Sequence, residues 1–437
     1  MRSFFLLGWL RLWPVATGFV SQGNRQRLFP LKTVANGKTT ETTNKKTPKL
    51  PDDVRELQES LAAIRKLPRI SPGSPEDPLL AMALSEPSVP TFRRLFTHKT
   101  WNEHTGRRAH YRWWRSVTAW GKSEVLRSIY QTVLAVTLYS TVISLAFRFL
   151  VPNYLVQRAT QQTLPLSLAA NAISLLLVFR TNNAYRRLEE ARELWGRVIQ
   201  LTREIVARVA TMDCSSCFPD SSSRSSRQKC LSTKTVVAVC RYMAAFSWSL
   251  RDQLRNGDKR EDILKLLLPP EEEAWIAQQR SRPMAIHGRL RRLLFREKLS
   301  GRMDDTMHFL LEGDLKDLGN IVASFERIFT SPIPPAMSRH GTRSVIVFFL
   351  AMPFVFAASS PVLLSVVWTF IIAFLFLGIE ELGVQVEQPF QVIPLWQLCS
   401  QVQADIEELV LHPLDVATFD ENEDDTESST SKSNVVE

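Results

Sequence analysis

SVIVFFLAMPFVFAASSPVLLSVVWTFIIAFLFLGI, residues 344–379, is a run of 36 residues without a charge. A helix that crosses about 30 Å of hydrocarbon needs roughly 20 apolar residues, because each residue adds 1.5 Å. The run is therefore long enough for two such helices. Ser359-Ser360-Pro361 interrupts it where one helix can end and another begin. We predict a pair of membrane helices here.

Two further charge-free segments precede this run, at residues 128–147 and 159–179. Core helices of a large soluble protein are the alternative interpretation, but an uncharged run of such length is very unusual in soluble chains. The sequence predicts an all-α membrane protein with four transmembrane helices and a helical extramembrane part. We place the spans at about 125–150, 162–180, 342–358 and 361–380.

The basic residues flank these apolar segments. The chain of 437 residues has 54 Lys+Arg, 44 Asp+Glu and a formal net charge of +10. Arg and Trp mixed before the first span are typical of anchoring at the lipid headgroups. Nucleic-acid binding is the weaker interpretation, since no zinc-finger or RNP-like signature occurs. The short connections carry little charge, so both termini and residues 180–343 should face the cytoplasm-like side.

The remaining segments have distinct compositions. Residues 1–50 combine an apolar signal-like stretch with a basic, Thr-rich stretch, similar to the bipartite presequences of algae with complex plastids, and a disordered basic N-terminus is the alternative. Residues 51–92 are predicted to be a Pro-rich linker. Residues 401–437 are predicted to be an acidic, disordered C-terminal tail. The membrane domain is therefore placed at 93–400.

The second span is predicted to continue beyond the membrane as one long helix. From Arg180 the pattern is amphipathic, with no helix breaker before Asp213. Opposite charges four residues apart, at Arg186/Glu190 and Glu193/Arg197, support a helix there. Further helical segments are predicted at about 234–256, 284–299 and 302–329.

No enzymatic or metal-binding signature emerges from the sequence. Cys214 and Cys217 form a CxxC, but Cys230 and Cys240 lack the spacing of a second zinc or redox pair. The chain also lacks HExxH, GxSxG, GxGxxG and Walker patterns. We therefore predict that the protein is not an enzyme and has no cofactor and no metal.

Two stripes run along the second span at helical spacing. A polar stripe within a membrane faces a bundle interior or a water-filled path. Hydrogen bonding between neighbouring helices explains the same stripe, and the residues alone leave both interpretations open. The polar stripe comprises Thr160, Thr163, Ser167, Asn171 and Ser174, and the apolar one Leu164, Leu168, Ala172 and Leu175.

Three motifs resemble one family of membrane proteins. They are FRTNNAYRR at 179–187, FERIFTSPIP at 325–334 and GIEELGVQVEQPF at 378–390. Over about residues 95–400 the chain resembles the bestrophin-like chloride channels, in particular those of plant and algal thylakoids. The motif residues with an expected structural role are Arg180, Asn182, Tyr185, Trp195, Glu326, Arg327, Pro332, Pro334, Glu380, Glu381, Pro389 and Phe390.

This resemblance implies a homopentamer around one central pore that passes chloride passively under voltage regulation. It also implies a multi-pass protein of the plastid thylakoid membrane with stromal termini, whose partners are small anions, lipid and further copies of the chain. The family's hydrophobic neck falls on Leu164, Leu168 and Ala172. Asn171 and Leu175 lie beside these positions and complete the candidate pore lining.

Calcium regulation is not expected. Animal bestrophins have an acidic run after the Pro-Phe pair, whereas here residues 391–395 are QVIPL. Calcium requires several carboxylate or carbonyl oxygens. Three alternatives stay open at this point: a bicarbonate-conducting channel, a secondary anion transporter, which should show internal repeats, and a membrane scaffold.

Overall fold

The computed structural model describes residues 51–67, 114, 123–150, 163–213, 230–255 and 261–411. The predicted presequence, the CxxC, Thr160 and residues 412–437 lie outside these ranges. The described ranges are almost entirely helical. Their helices are α1 (Asp52–Lys66), α2 (Glu124–Leu150), α3 (Thr163–Ala210), α4 (Thr233–Leu254), α5 (Glu261–Leu267), α6 (Pro270–Ala277), α7 (Arg282–Leu299), α8 (Asp305–Thr330), α9 (Pro335–Ser359), α10 (Val362–Glu387), α11 (Pro389–Val392) and α12 (Leu395–Leu411).

Among the described residues, four helices are long and apolar enough to cross a membrane. They are Val125–Leu150, Leu164–Ala210, Pro335–Ser359 and Val362–Glu387. With 48 residues, α3 is about 72 Å long at 1.5 Å per residue. It extends far beyond any bilayer, so the prediction that the second span continues outside the membrane is confirmed.

Side-chain hydrogen bonds and apolar contacts hold the membrane helices together. The hydroxyls of Ser140 and Thr369 lie 2.9 Å apart, and those of Ser144 and Ser365 also lie 2.9 Å apart. The residue numbers rise on α2 while they fall on α10, so the two helices are antiparallel. All four side chains are buried. Hydroxyls paired in this way satisfy one another where no water is available.

Helix α4 forms the centre of the extramembrane part. The Ser232 hydroxyl caps its first turn by accepting a hydrogen bond from the Thr235 N–H at 3.3 Å. Most of the α4 side chains are buried, among them Arg251, which pairs with Asp252 at 2.7 Å. A buried charge needs such a partner to offset its desolvation.

Two predicted boundaries are wrong. The proposed linker 51–92 contains α1, whose buried side chains Val54, Leu57, Leu61 and Ile64 recur every three or four residues and pack into the extramembrane core. The proposed tail 401–437 starts too early, because α12 continues to Leu411. Its Val402 and Ile406 side chains are fully buried in the same core.

Candidate functional site

All the predicted neck residues lie on one exposed face of α3. Leu164, Leu168 and Leu175 are 67%, 61% and 56% exposed within the subunit, and Asn171 and Ala172 are exposed beside them. The opposite face, which includes Ile173 and Leu177, is buried against the other membrane helices. The polar stripe residues Ser167 and Ser174 are exposed as well. The members of both stripes between Leu164 and Leu175 therefore face away from the subunit's own bundle.

An ion pair lies where α3 leaves the apolar region. The Arg180 guanidinium lies 2.9 Å from the Glu380 carboxylate of α10 and 3.9 Å from that of Glu387. The side chains of Arg180 and Glu380 are only 10% and 16% exposed. The Thr342 hydroxyl of α9 donates to the same Glu380 oxygen at 2.9 Å. This cluster joins α3, α9 and α10 through charge-assisted hydrogen bonds.

Two turns further along α3, Arg187 binds the C-terminal end of α8. Its guanidinium donates to the backbone oxygens of Ile328 and Ser331, each at 2.7 Å. A cation is stabilised there because the last carbonyls of a helix lack partners and carry partial negative charge. Arg327 of α8 also forms an ion pair with Glu190 of α3. The first and second sequence motifs are thus in direct contact.

An aromatic chain links these two motifs to the third. The Trp195 and Phe325 ring centroids are 5.6 Å apart, and those of Phe325 and Phe390 are 5.8 Å apart. All three side chains are buried. Tilted and edge-on contacts at these distances stabilise beyond the area that they bury. The predicted structural roles of Trp195 and Phe390 therefore have a physical basis in one shared core.

Polar contacts extend from the same region. The Glu326 carboxylate accepts from the Gln253 side-chain amide at 2.8 Å. Arg255 donates to the backbone oxygens of Phe390 and Gln391, both at 3.3 Å. Neither Gln253 nor Arg255 is singled out by the sequence, because no local pattern links α4 to the segment after α10.

The other motif residues make fewer contacts with distant segments of the chain. Asn182 and Tyr185 are exposed within the subunit, and Pro332 and Pro334 are exposed in the turn before α9. Glu381 accepts from Gln385 of its own helix at 2.9 Å. Pro389 is buried at the start of α11. Pro332 and Pro334 lie between the end of α8 and the start of α9, where the missing N–H of proline breaks no helical hydrogen bond.

No metal centre is present in the part of the chain that the structure describes, where no three His, Cys, Asp or Glu side chains are grouped to hold an ion. One buried histidine is instead structural. His287 of α7 lies 2.8 Å from the Leu315 backbone oxygen of α8, with its Nε2 as donor. Burial is the main cause that lowers the pKa of His287 below its ordinary value of 6.5.

This lowered pKa predicts loss of stability in acid. Below about pH 6.5 the unfolded chain protonates this imidazole while the folded chain does not, so the free energy of unfolding falls as the pH decreases. His287→Gln, which keeps a donor for Leu315, should flatten that dependence. Thermal unfolding of both proteins between neutral and mildly acidic pH measures the difference. An unchanged pH slope in the variant would contradict this role of His287.

A family model described as Bacterial/Fungal Bestrophin protein matches residues 104–408. The chain therefore belongs to the bestrophin family, as its three motifs predict. Voltage-dependent chloride channel 1, chloroplastic, of Arabidopsis thaliana is 29% identical over 73% of each chain. A voltage-dependent anion channel-forming protein of Ralstonia nicotianae is 28% identical over 65% of this chain and 86% of its own. The crystal structure of a bacterial bestrophin homologue from Klebsiella pneumoniae has the same fold, with a TM-score of 0.55 at 24% identity, covering 65% of this chain and 100% of its own.

Proposed function

We propose that this chain forms a passive chloride channel, assembled as a homopentamer around one central pore. The observation that carries this proposal is the exposed face of α3. Leu164, Leu168 and Leu175 are exposed within the subunit. The helix that carries them is long enough to span the bilayer. In a ring of subunits this face lines the axis, so the neck residues meet around the permeating ion.

Such a neck passes anions without binding them tightly. Apolar side chains offer an ion no strong ligand, so permeation depends on the width of the neck and on the potential at its entrances. Arg186 and Arg192 are exposed on α3 beyond the membrane. Five copies of this helix raise the local anion concentration next to the pore. The positive charge at the entrance therefore selects for anions, and the width of the neck limits the current.

The regulation and location that we propose are supported by the relatives and by the C-terminal motif. The relatives are named voltage-dependent channels, and the Arabidopsis protein is chloroplastic. We place this chain in the plastid thylakoid membrane, with both termini in the stroma, under voltage control. Calcium independence is supported by Arg255, because its cationic guanidinium occupies the Phe390 and Gln391 carbonyls, which are oxygens of the kind that calcium uses.

The ion preference is measured with purified protein in planar bilayers that have chloride on one side and bicarbonate on the other. We expect a reversal potential set by chloride, unchanged when calcium is chelated. A bicarbonate permeability comparable to that of chloride would reassign the channel to inorganic carbon supply. A current that needs calcium would contradict the proposed regulation.

The neck is tested by truncating its leucines. Leu164→Ala and Leu168→Ala should raise the single-channel conductance a few-fold, because each removes apolar side chain from the constriction. Leu138→Ala is the matched control, since Leu138 of α2 is 59% exposed but lies on another helix. Equal conductance in all three variants and the unmodified channel would exclude this face of α3 as the pore lining.

A further inference from the structure

The extramembrane part contains a cavity of about 330 Å³, separate from the exposed face of α3. Its walls come from α1, α4 and α7 and from the segment that joins α5 to α6. The volume falls within the range of cavities that hold small organic molecules. Its position, away from the membrane helices, makes it accessible to water-soluble ligands.

One part of the cavity wall is aliphatic. The side chains there offer no hydrogen bonds and no aromatic ring for stacking, so this part suits an alkyl or acyl chain better than a nucleotide base. The aliphatic lining consists of Val237, Ala238, Leu267, Leu268, Pro269 and Leu293.

The polar part of the wall has equal numbers of cations and carboxylates, but two of the cations have no partner among the described residues. Among the three lining carboxylates, Glu56 pairs with Arg241 at 3.1 Å. Glu272 accepts from the Tyr242 hydroxyl at 2.5 Å and lies 3.9 Å from Arg289, which is outside the lining. Lys234 and Arg296 also line the cavity, and neither has an ion pair or side-chain hydrogen bond with any residue that the structure describes. The third carboxylate is Asp53. It lies in the first turn of α1, where the helix dipole stabilises it.

A buried donor points to the same chemistry. Arg241 uses one terminal nitrogen for Glu56, but its Nε–H is buried and lacks an acceptor among the described residues. Buried donors without a partner are rare in native proteins because each costs its full desolvation. An acceptor oxygen of a ligand in the cavity would satisfy this donor, and Lys234 and Arg296 line the same cavity.

We infer that this cavity binds a small organic anion, a phosphate or carboxylate on a short aliphatic body. The anionic group contacts Lys234, Arg296 and the Arg241 Nε–H, while the aliphatic part covers the apolar wall. The proposed contacts of the anionic group are with Lys234 and Arg241 of α4 and with Arg296 of α7. A ligand at this place therefore bridges these two helices and stabilises their packing.

The test uses hexyl phosphate with the full-length protein in nanodiscs, measured by calorimetry against empty nanodiscs. Hexanol and inorganic phosphate test the two halves of the ligand separately. Both should bind at least about tenfold more weakly than hexyl phosphate. Lys234→Gln and Arg296→Gln should each weaken hexyl phosphate about tenfold, since each removes a charge-assisted contact. Lys265→Gln and Arg292→Gln are the controls, because both side chains are exposed and outside the cavity lining.

Amide hydrogen exchange gives a second readout. Saturation with hexyl phosphate should slow exchange in α4 and α7, and the two cavity variants should lose that protection at the same ligand concentration. Hexyl phosphate binding no greater than that of empty nanodiscs would overturn the inference. Equal weakening by the cavity variants and the control variants would overturn it too, because the contribution of charge would then be unspecific.

Discussion

Arg180→Leu is expected to lower the free energy of unfolding by about 3 kcal/mol, the lower end of the cost of breaking a buried ion pair from one side, because this pair is only partly buried. The substitution leaves the Glu380 carboxylate without its guanidinium at the boundary of the membrane helices. The Thr342 hydroxyl alone, at 2.9 Å, cannot neutralise this charge. Thermal or denaturant unfolding of the purified protein measures the loss.

The double variant Arg180→Leu/Glu380→Gln is the matched control. It removes both charges of the closer contact and keeps an acceptor for Thr342, so only the Glu387 carboxylate, 3.9 Å from Arg180 and 20% exposed, loses a partner. We expect it to recover most of the lost stability, because neutral replacements of a buried pair are often tolerated. A double variant as unstable as Arg180→Leu would show that the guanidinium stabilises the fold by something other than this pair.

Trp195→Ala is expected to destabilise the extramembrane part by about 3–5 kcal/mol. Trp195 is 1% exposed and contacts Phe325, which itself contacts Phe390. Truncation therefore opens a cavity where the three sequence motifs meet. The unfolding midpoint of the variant, followed by circular dichroism, measures the effect.

A double-mutant cycle with Phe325→Ala separates the ring contact from simple loss of volume. The coupling energy should be about 0.5–1.5 kcal/mol, the range for aromatic pairs in contact. Phe309→Ala is the control on the same helix as Phe325, because Phe309 is 76% exposed and its loss should change stability by no more than about 0.5 kcal/mol. A coupling energy near zero would contradict the aromatic chain as a structural link.

The membrane helices were predictable because one requirement determines them, an apolar run long enough to cross the hydrocarbon of the bilayer. A charge-free run of sufficient length has no stable alternative in water, so residues 344–379 indicate two spans without reference to any partner. The continuation of α3 was predictable for a related reason, since its apolar positions and its i,i+4 charges fit a helix. One of the two predicted pairs is present, with Arg197 and Glu193 3.0 Å apart.

Contacts between distant segments were not predictable from spacing along the chain. Glu190 pairs with Arg327 of α8 instead of with its local partner Arg186, because a charge on a neighbouring helix lies closer than one on the next turn. The choice of Glu380 as partner of Arg180 likewise depends on how α3 and α10 cross. The spacing of seven residues between Glu380 and Glu387 was the available signal, since it places both carboxylates on one face of α10, 2.9 and 3.9 Å from Arg180.

The missed helix α1 shows how composition can hide periodicity. The prolines from 68 onward suggested a linker for the whole segment 51–92. However, Val54, Leu57, Leu61 and Ile64 recur at helical spacing upstream of these prolines, and all four are buried. The residues that they pack against on α4 and α12 lie far away in the sequence. Only the spacing within α1 itself therefore indicated that this segment is a buried helix.

We expect the exposed face of α3 to line an anion-selective pore. The most direct test is the reversal potential of the purified protein in a planar bilayer under a gradient of potassium chloride. We predict a reversal potential close to the chloride equilibrium potential. A reversal potential close to that of potassium, or no current from correctly assembled protein, would contradict it.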